Sequence, residues 1–259
     1  MAAPLRKSAV PIALVTGGAR RIGHAISLAL ARHGYGVVVH GSRIDEEARA
    51  LVRDIRAGGA PGEFVDADLL EPRALETLIG RAAAAAGPLS LLVNNASVFE
   101  DDGVGSLGID GWDRHFAVNL RAPVFLAQAF AAQAPTGGDP GIVNITDQRV
   151  RKPVPRQFSY TLTKCALDTA TVMLAQALAP RVRVNAVAPG PTLPSPRQNL
   201  AAFAAQQAAL PLGRGPRPQD IANAVVYLAS AEHVTGTTML VDGGQHIAWK
   251  TPDAFGTDE

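Results

Sequence analysis

Thr16-Gly17-Gly18-Ala19-Arg20-Arg21-Ile22-Gly23 decides how this 259-residue sequence is read. The apolar run Val10–Val15 leads into it, and Ile22, Ile26 and Leu30, spaced by four, lead out of it. A short apolar run fits a strand buried on both faces, and a spacing of four marks one face of a helix. Strand, glycine-rich turn and helix together make a site for a pyrophosphate. Glycines let the backbone approach the anion, and the helix N-terminus stabilises it. Gly17, Arg20, Arg21, Ile22 and Gly23 are therefore candidate cofactor contacts.

The same alternation continues outward. Strands are predicted at Val37–Val39, Glu63–Asp66, Leu89–Val93, Ile142–Ile145, Val182–Val187 and Thr238–Val241. Helices are predicted at Glu46–Ala57, around Leu75–Ile79 and on through Ala82–Ala86, at Trp112–Gln133, Ser159–Leu178, Leu200–Leu210 and Pro218–Ala229. The alanine stretch reads as helix because alanine is the best helix former. Strands alternating with helices predict an α/β fold: one doubly wound parallel sheet of about seven strands with helices on both faces. Residues 1–247 read as a single dinucleotide-binding catalytic domain and 248–259 as a polar tail.

Composition narrows the function classes. Hydrophobic residues make up 47% and charged residues 18%. Lys+Arg 24 against Asp+Glu 23 leaves a net charge of +1 with no basic block, so no nucleic-acid partner is expected. No apolar run approaches the ~20 residues that cross a bilayer. Arg6 and Lys7 ahead of an apolar run imitate a signal peptide, but that run is short, contains Pro11 and enters the glycine-rich turn. The single cysteine, Cys165, permits no intrachain disulfide, which fits a reducing, cytoplasmic setting; it is expected to be a small buried residue. The six histidines show no metal-ligand spacing, so no metal is expected.

The end of the second strand carries the choice of dinucleotide. An acid there binds the ribose diol of NAD. This sequence has His40-Gly41-Ser42-Arg43 instead. Ser42 and Arg43 suit a 2′-phosphate, since a guanidinium pairs strongly with phosphate, and Arg20 adds a second charge. The expected cofactor is NADPH, with His40 near its adenosine end and without a catalytic role.

Further motifs then fall in order: Asn94-Asn95-Ala96-Ser97, Asn119, Tyr160-Thr161-Leu162-Thr163-Lys164, Pro189-Gly190 and Asp242-Gly243-Gly244. This ordered set, from about Val10 to Gln245, resembles the short-chain dehydrogenase/reductase family and its Rossmann-type fold. Tyr160 and Lys164 lie four apart and so share a helix face. Lys164 can reach the nicotinamide ribose, and its ammonium is expected to draw the Tyr160 phenol down toward working pH. The resemblance implies that Asp68 contacts adenine, that Thr192 meets the carboxamide and that Asn119 supports the proton relay. It also puts Leu69, Asn95, Ala96, Pro189 and Gly190 along the cofactor.

Three departures refine the resemblance. The family usually has a serine thirteen residues before the tyrosine; here that slot is Asp147, with Thr146 beside it. The family's second turn glycine is Arg21, and Phe99 follows the Asn-Asn-Ala-Ser stretch. These are similar to the pteridine reductase branch, including bacterial dihydromonapterin and dihydrofolate reductases. The resemblance implies that Phe99 stacks a flat pterin against the nicotinamide. It implies that Arg21 bonds ring acceptors or phosphate, that Ser97 adds a polar contact and that Asp147 assists proton delivery through Tyr160. The expected reaction is NADPH-dependent hydride transfer to a C=N bond of a dihydropterin or dihydrofolate. Two alternatives stay open: a carbonyl reductase for a 3-oxoacyl thioester or a sugar, and a non-catalytic NADPH-binding regulatory protein. The resemblance also implies a homotetramer and a substrate lid over Pro191–Leu210, and leaves open that Trp249 and the tail reach a neighbouring subunit's site.

Overall fold

A computed structural model of the chain describes residues 10–195 and 198–249. The first half runs β1 (Ile12–Val15), α1 (Arg21–Arg32), β2 (Gly36–Gly41), α2 (Glu46–Ala57), β3 (Gly62–Asp66), α3 (Pro72–Ala86) and β4 (Leu89–Asn94). The second half runs α4 (Ile109–Phe116), α5 (Ala122–Gln133), β5 (Gly141–Ile145), α6 (Phe158–Leu178), β6 (Arg183–Pro189), α7 (Leu200–Ala208), α8 (Pro218–Ser230) and β7 (Thr238–Val241).

The strands form one seven-stranded sheet in the order β3-β2-β1-β4-β5-β6-β7. Every pairing is parallel. The strand order reverses between β1 and β4, and in such sheets ligands settle at the carboxyl ends of the strands beside that reversal.

Both faces are covered. Leu14, Val38, Leu78, Leu92, Leu126 and Phe130 belong to one buried cluster, packed with α3 and α5. Ile26, Leu30, Val39, Leu51, Ile55 and Val225 belong to the other, packed with α1, α2 and α8. All four residues of β1 are buried, as a strand between two helical layers requires. Each large aliphatic side chain so buried contributes roughly 1.5–3 kcal/mol, and Phe130→Ala would cost about 3–5 kcal/mol.

Local signals set several boundaries. The Asp45 carboxylate accepts from Ala48 N at 3.0 Å and starts α2. Pro72 occupies the first turn of α3. The Asp220 carboxylate accepts from Arg217 N at 2.8 Å and starts α8.

Some expectations shift. Val10 is exposed and β1 begins at Ile12. The helix expected at Trp112–Gln133 starts earlier and is divided: a π-helical segment, Ala117–Arg121, separates α4 from α5. The stretch expected at Leu200–Leu210 ends as helix at Ala208, and α7 buries none of its residues. Among the described residues, no helix is long and apolar enough to cross a membrane.

Candidate active site

The carboxyl ends of β1, β4, β5 and β6 open into a cleft of about 940 Å³. At its floor, Gly17 adopts φ +59, and a Cβ on Gly23 would stand 2.1 Å from Gly17 O. Only glycine allows that approach. Asn95 Nδ2 donates to Thr16 O at 2.9 Å and to Gly17 O at 3.0 Å. Thr16 Oγ1 accepts from Asn95 N and Ala96 N, both at 3.0 Å. The loop after β4 therefore braces the turn after β1, and α1 presents its N-terminus beside it.

His40 does not line the cleft. It is 2% exposed, and Gly17 N donates to its Nδ1 at 3.3 Å. The proton then sits on Nε2, which donates to Ala67 O at 3.0 Å. Burial lowers the imidazole to about 4, so it stays neutral. The ring expected near the adenosine end is a strut between the turn and the chain after β3.

Leu69 likewise sends its side chain into the core, leaving only its backbone for a ligand. Ser42, Arg43 and Asp68 are exposed just beyond β2 and β3. Arg20 pairs with Asp45 at 2.6 Å and with Glu47, so its charge is already offset.

Asp147, Tyr160 and Lys164 converge from β5 and α6. Tyr160 Oη donates to Asp147 Oδ2 at 2.9 Å. Lys164 is 2% exposed and its Nζ donates to Ile145 O at 2.8 Å. Burial pulls the ammonium down to about 8, against the Asp147 charge.

The Tyr160 phenol differs from expectation. Burial and the Asp147 carboxylate push it well above its ordinary value of 10.0, and Arg149 is the cation that opposes them. Burial, with a carboxylate in the serine slot, outweighs the cations beside the ring, so Tyr160 stays protonated. Burial also raises the Asp147 carboxyl, with Arg149 as the largest opposing influence.

Asn119 sits in the π-helical segment. Its Nδ2 donates to Val98 O at 2.9 Å and to Thr163 Oγ1 at 3.2 Å. Its Oδ1 accepts from Val98 N at 2.8 Å and from Ser97 Oγ at 3.2 Å. The side chain ties the loop after β4 to the α6 helix, under the cleft, and is fully buried.

Ser97 and Phe99 are carried on that same loop. Phe99 is 43% exposed and meets Tyr160 edge-on, with ring centres 4.7 Å apart. It is therefore a cleft wall and not core. Across the cleft, Gly190 packs so tightly that a Cβ would stand 2.6 Å from Asp242 Cα. Thr192 Oγ1 donates to Gly190 O at 3.0 Å.

Arg21 adopts φ 53, a left-handed conformation that favours glycine. Its Nη2 reaches over the cleft and donates to Pro194 O at 3.0 Å. Trp249 is 60% exposed, 5.6 Å from Lys152 Nζ, and Lys152 also donates to Ala248 O. The tail beyond it lies outside the described residues. Cys165 is only part-buried.

Arg149 and Gln157 are among the cleft residues that escaped the sequence reading. Arg149 lies 5.6 Å from the ring centres of both Phe99 and Tyr160. The signal was present: an acid replacing serine in a buried slot calls for a nearby cation.

Comparisons with known proteins agree with this geometry. A family model described as enoyl-(acyl carrier protein) reductase matches residues 17–246. An uncharacterised oxidoreductase of Mycobacterium tuberculosis is 37% identical, covering 90% of this chain and 91% of that protein. A 3-oxoacyl-(acyl-carrier-protein) reductase of Staphylococcus aureus is 32% identical, covering 91% of this chain and 98% of that protein. The crystal structure of alternative dihydrofolate reductase 1 from Brucella suis, in complex with NADP, is 49% identical with a TM-score of 0.90, covering 94% and 98% of the two chains. Its counterpart from Brucella canis, also complexed with NADP, is 48% identical with a TM-score of 0.91, covering 96% and 99%. The chain belongs to the short-chain dehydrogenase/reductase family, and within it stands in the pteridine reductase-like branch.

Proposed function

We propose that this protein is an NADPH-dependent reductase of a dihydropterin or dihydrofolate. The observation that carries the reading is the 2.9 Å contact of Tyr160 Oη with Asp147 Oδ2, walled by Phe99. The likeness to the two Brucella dihydrofolate reductases supports it.

The residues fit a dinucleotide. The bare approach of Gly23 to Gly17 O leaves main-chain N–H groups and the α1 N-terminus for a pyrophosphate. Arg43 and Ser42 would take the 2′-phosphate, with Asp68 and the Leu69 backbone toward adenine. Asn95, Ala96, Pro189, Gly190 and Thr192 would line the nicotinamide end, and Lys164 would orient its ribose. When bound, NADPH supplies hydride.

The chain's own groups supply the proton. Tyr160 is kept protonated, so it acts as an acid, as reduction of a C=N bond requires. A protonated Asp147 would donate to the Tyr160 oxygen and free the phenol hydrogen for a ring nitrogen. The raised Asp147 carboxyl supports that exchange. Phe99 would cover the flat ring, Ser97 and Arg21 would bond its edge, and Asn119 would hold the loop that carries Ser97 and Phe99.

The second reading is a carbonyl reductase, favoured by the likeness to the staphylococcal 3-oxoacyl reductase. It needs a hydroxyl beside Tyr160. Thr146 does not offer one, because its buried Oγ1 donates to Val187 O at 3.2 Å.

The exposed Phe125, Val172 and Met173 on α5 and α6 support the homotetramer, which the mass in solution tests. One part-buried free cysteine supports a cytoplasmic setting.

The decisive assay is NADPH oxidation with dihydrobiopterin, dihydromonapterin, dihydrofolate and acetoacetyl thioester, with NADH as control. Turnover confined to the pterin group is expected, and Tyr160→Phe should lose it by about 100-fold or more. Turnover of the thioester alone would install the second reading.

A further inference from the structure

Two described non-glycine residues hold a positive φ, Arg21 and Gln157, and both line the cleft. Gln157 stands three residues before Tyr160 with φ 49 and ψ 57. Its Nε2 donates to Asp101 Oδ1, and its Oε1 accepts from Arg149 Nη2 at 3.1 Å. The Arg149 main-chain N–H donates to Asp147 Oδ1 at 2.9 Å. The guanidinium lies beside the Phe99 and Tyr160 rings, and its Nη1 is sealed from solvent without a hydrogen-bond partner. A left-handed glutamine and a dry, unspent guanidinium donor both cost stability. Here both costs fall on one pair of side chains next to the proton-transfer groups. Strain that persists in a fold clusters where it serves a mechanism.

We propose that Arg149 is a positioning residue that sets the protonation of the Asp147–Tyr160 pair, with Gln157 and Asp101 aiming its guanidinium. The pair faces few other charges. Lys164, from the same helix as Tyr160, has its Nζ 5.6 Å from the phenol ring centre and favours the Asp147 carboxylate less than Arg149 does, while spending a donor on Ile145 O at 2.8 Å. Arg21, from the glycine-rich turn, is turned to the lid backbone at Pro194. Asp101, from the loop after β4, and Arg156, from the loop before α6, stand exposed at the cleft mouth. Arg149 thus shares the phenol ring with Lys164, each 5.6 Å from its centre, and of the two it is the one joined through its own backbone to the carboxylate.

The sign follows from charge. A nearby cation favours the ionised forms of both a carboxyl and a phenol. The Arg149 charge is indeed the leading influence holding Asp147 down against burial. Removing it lets both groups rise, so the pair keeps its protons to higher pH.

The test follows Asp147 itself in the full chain and so does not depend on the pterin reading. The protein is labelled with 13Cγ-aspartate, the Asp147 resonance is assigned with Asp147→Asn, and its midpoint is followed against pH. Arg149→Met is expected to raise that midpoint by about one pH unit or more, from Coulomb's law at intermediate dielectric. Arg149→Lys should restore most of it. Gln157→Gly keeps the left-handed backbone but removes the aiming side chain, and should raise the midpoint by a smaller amount. The alkaline shift should reappear in the pH profile of kcat for whichever substrate is turned over. An unmoved midpoint in Arg149→Met, with NADPH still bound, overturns the proposal. Should that variant fail to fold, an unmoved midpoint in Gln157→Gly overturns it instead. A purely structural Arg149 would lower stability and leave both midpoints in place.

Discussion

Gly17 is held through His40, Asn95 and Thr16, whereas the residues facing it, 191–195 and 198–208, are tied back through Arg21 and Gln207. On the first side the bonds come from the β2 strand, the loop after β4 and the end of β1. On the second, Arg21 Nη2 reaches Pro194 O at 3.0 Å and Gln207 Nε2 reaches Pro191 O at 2.9 Å. α7 has no buried residue, so little apolar contact holds it. Regions with few buried contacts open at low free energy. The difference assigns the two walls different work. The braced wall presents a fixed surface to the part of a dinucleotide that does not change. The loosely tied wall has little burial to hold it in one position.

The largest effect should come from breaking the braced wall. In Gly23→Ala the new Cβ would stand 2.1 Å from Gly17 O, a position that no side chain occupies without moving the turn. NADPH affinity, read by quenching of protein fluorescence, is expected to fall by roughly 100-fold or more, the scale of losing an anion cradle. Affinity within a few-fold of the parent would show that the turn yields.

A smaller effect tests the strut. His40 is lowered from 6.5 to about 4 in the fold. The unfolded chain therefore takes up a proton before the native state does. Stability should be full above about pH 6.5, fall between there and pH 4, and level off below. The total loss from this residue is at most about 3 kcal/mol. Urea melts at several pH values should show this slope, and His40→Gln should flatten it. An equal slope in the variant would move the origin elsewhere.

The smallest effect is expected on the other wall. Arg21→Gly removes the tie to Pro194 and relieves the left-handed arginine. Amide exchange across residues 198–208 should quicken several-fold while Tm moves by no more than about 2 °C. A large loss of Tm would mean that this wall is as firmly built as the turn.

Much of this was legible in the sequence because it is local. Helix α2 and strand β7 have the expected bounds, the helix because Asp45 caps it and Gly58-Gly59 follows it. The sheet follows from alternation alone. The break at Ala117–Arg121 was not legible. It accompanies Asn119 bonding to Val98 and Thr163, partners 21 and 44 residues away. The inward turn of His40 depends in the same way on Gly17 and Ala67. At the site, Tyr160 and Lys164 were marked by their spacing within the ordered motifs and Asp147 by the resemblance, but the direction of the Tyr160 shift was misjudged. Spacing places Lys164 on the right helix face; it does not reveal that its ammonium turns to Ile145 O while Asp147 touches the phenol. Arg149 was overlooked because it lies four residues past β5, in a single 3-10 turn, Gln148–Val150, too short to show a periodic face, and its neighbours come from three segments of the chain.

The most direct measurement is kcat/KM of Asp147→Ser against the parent, with dihydrofolate, dihydromonapterin and acetoacetyl thioester. If the Asp147–Tyr160 contact delivers the proton to a ring nitrogen, the pterin and folate values should fall by about 100-fold or more. The thioester value should hold or rise, since serine is the residue that carbonyl reduction uses at this position. Unchanged pterin and folate turnover in Asp147→Ser would contradict the central claim and reduce Asp147 to a neighbour of the reaction.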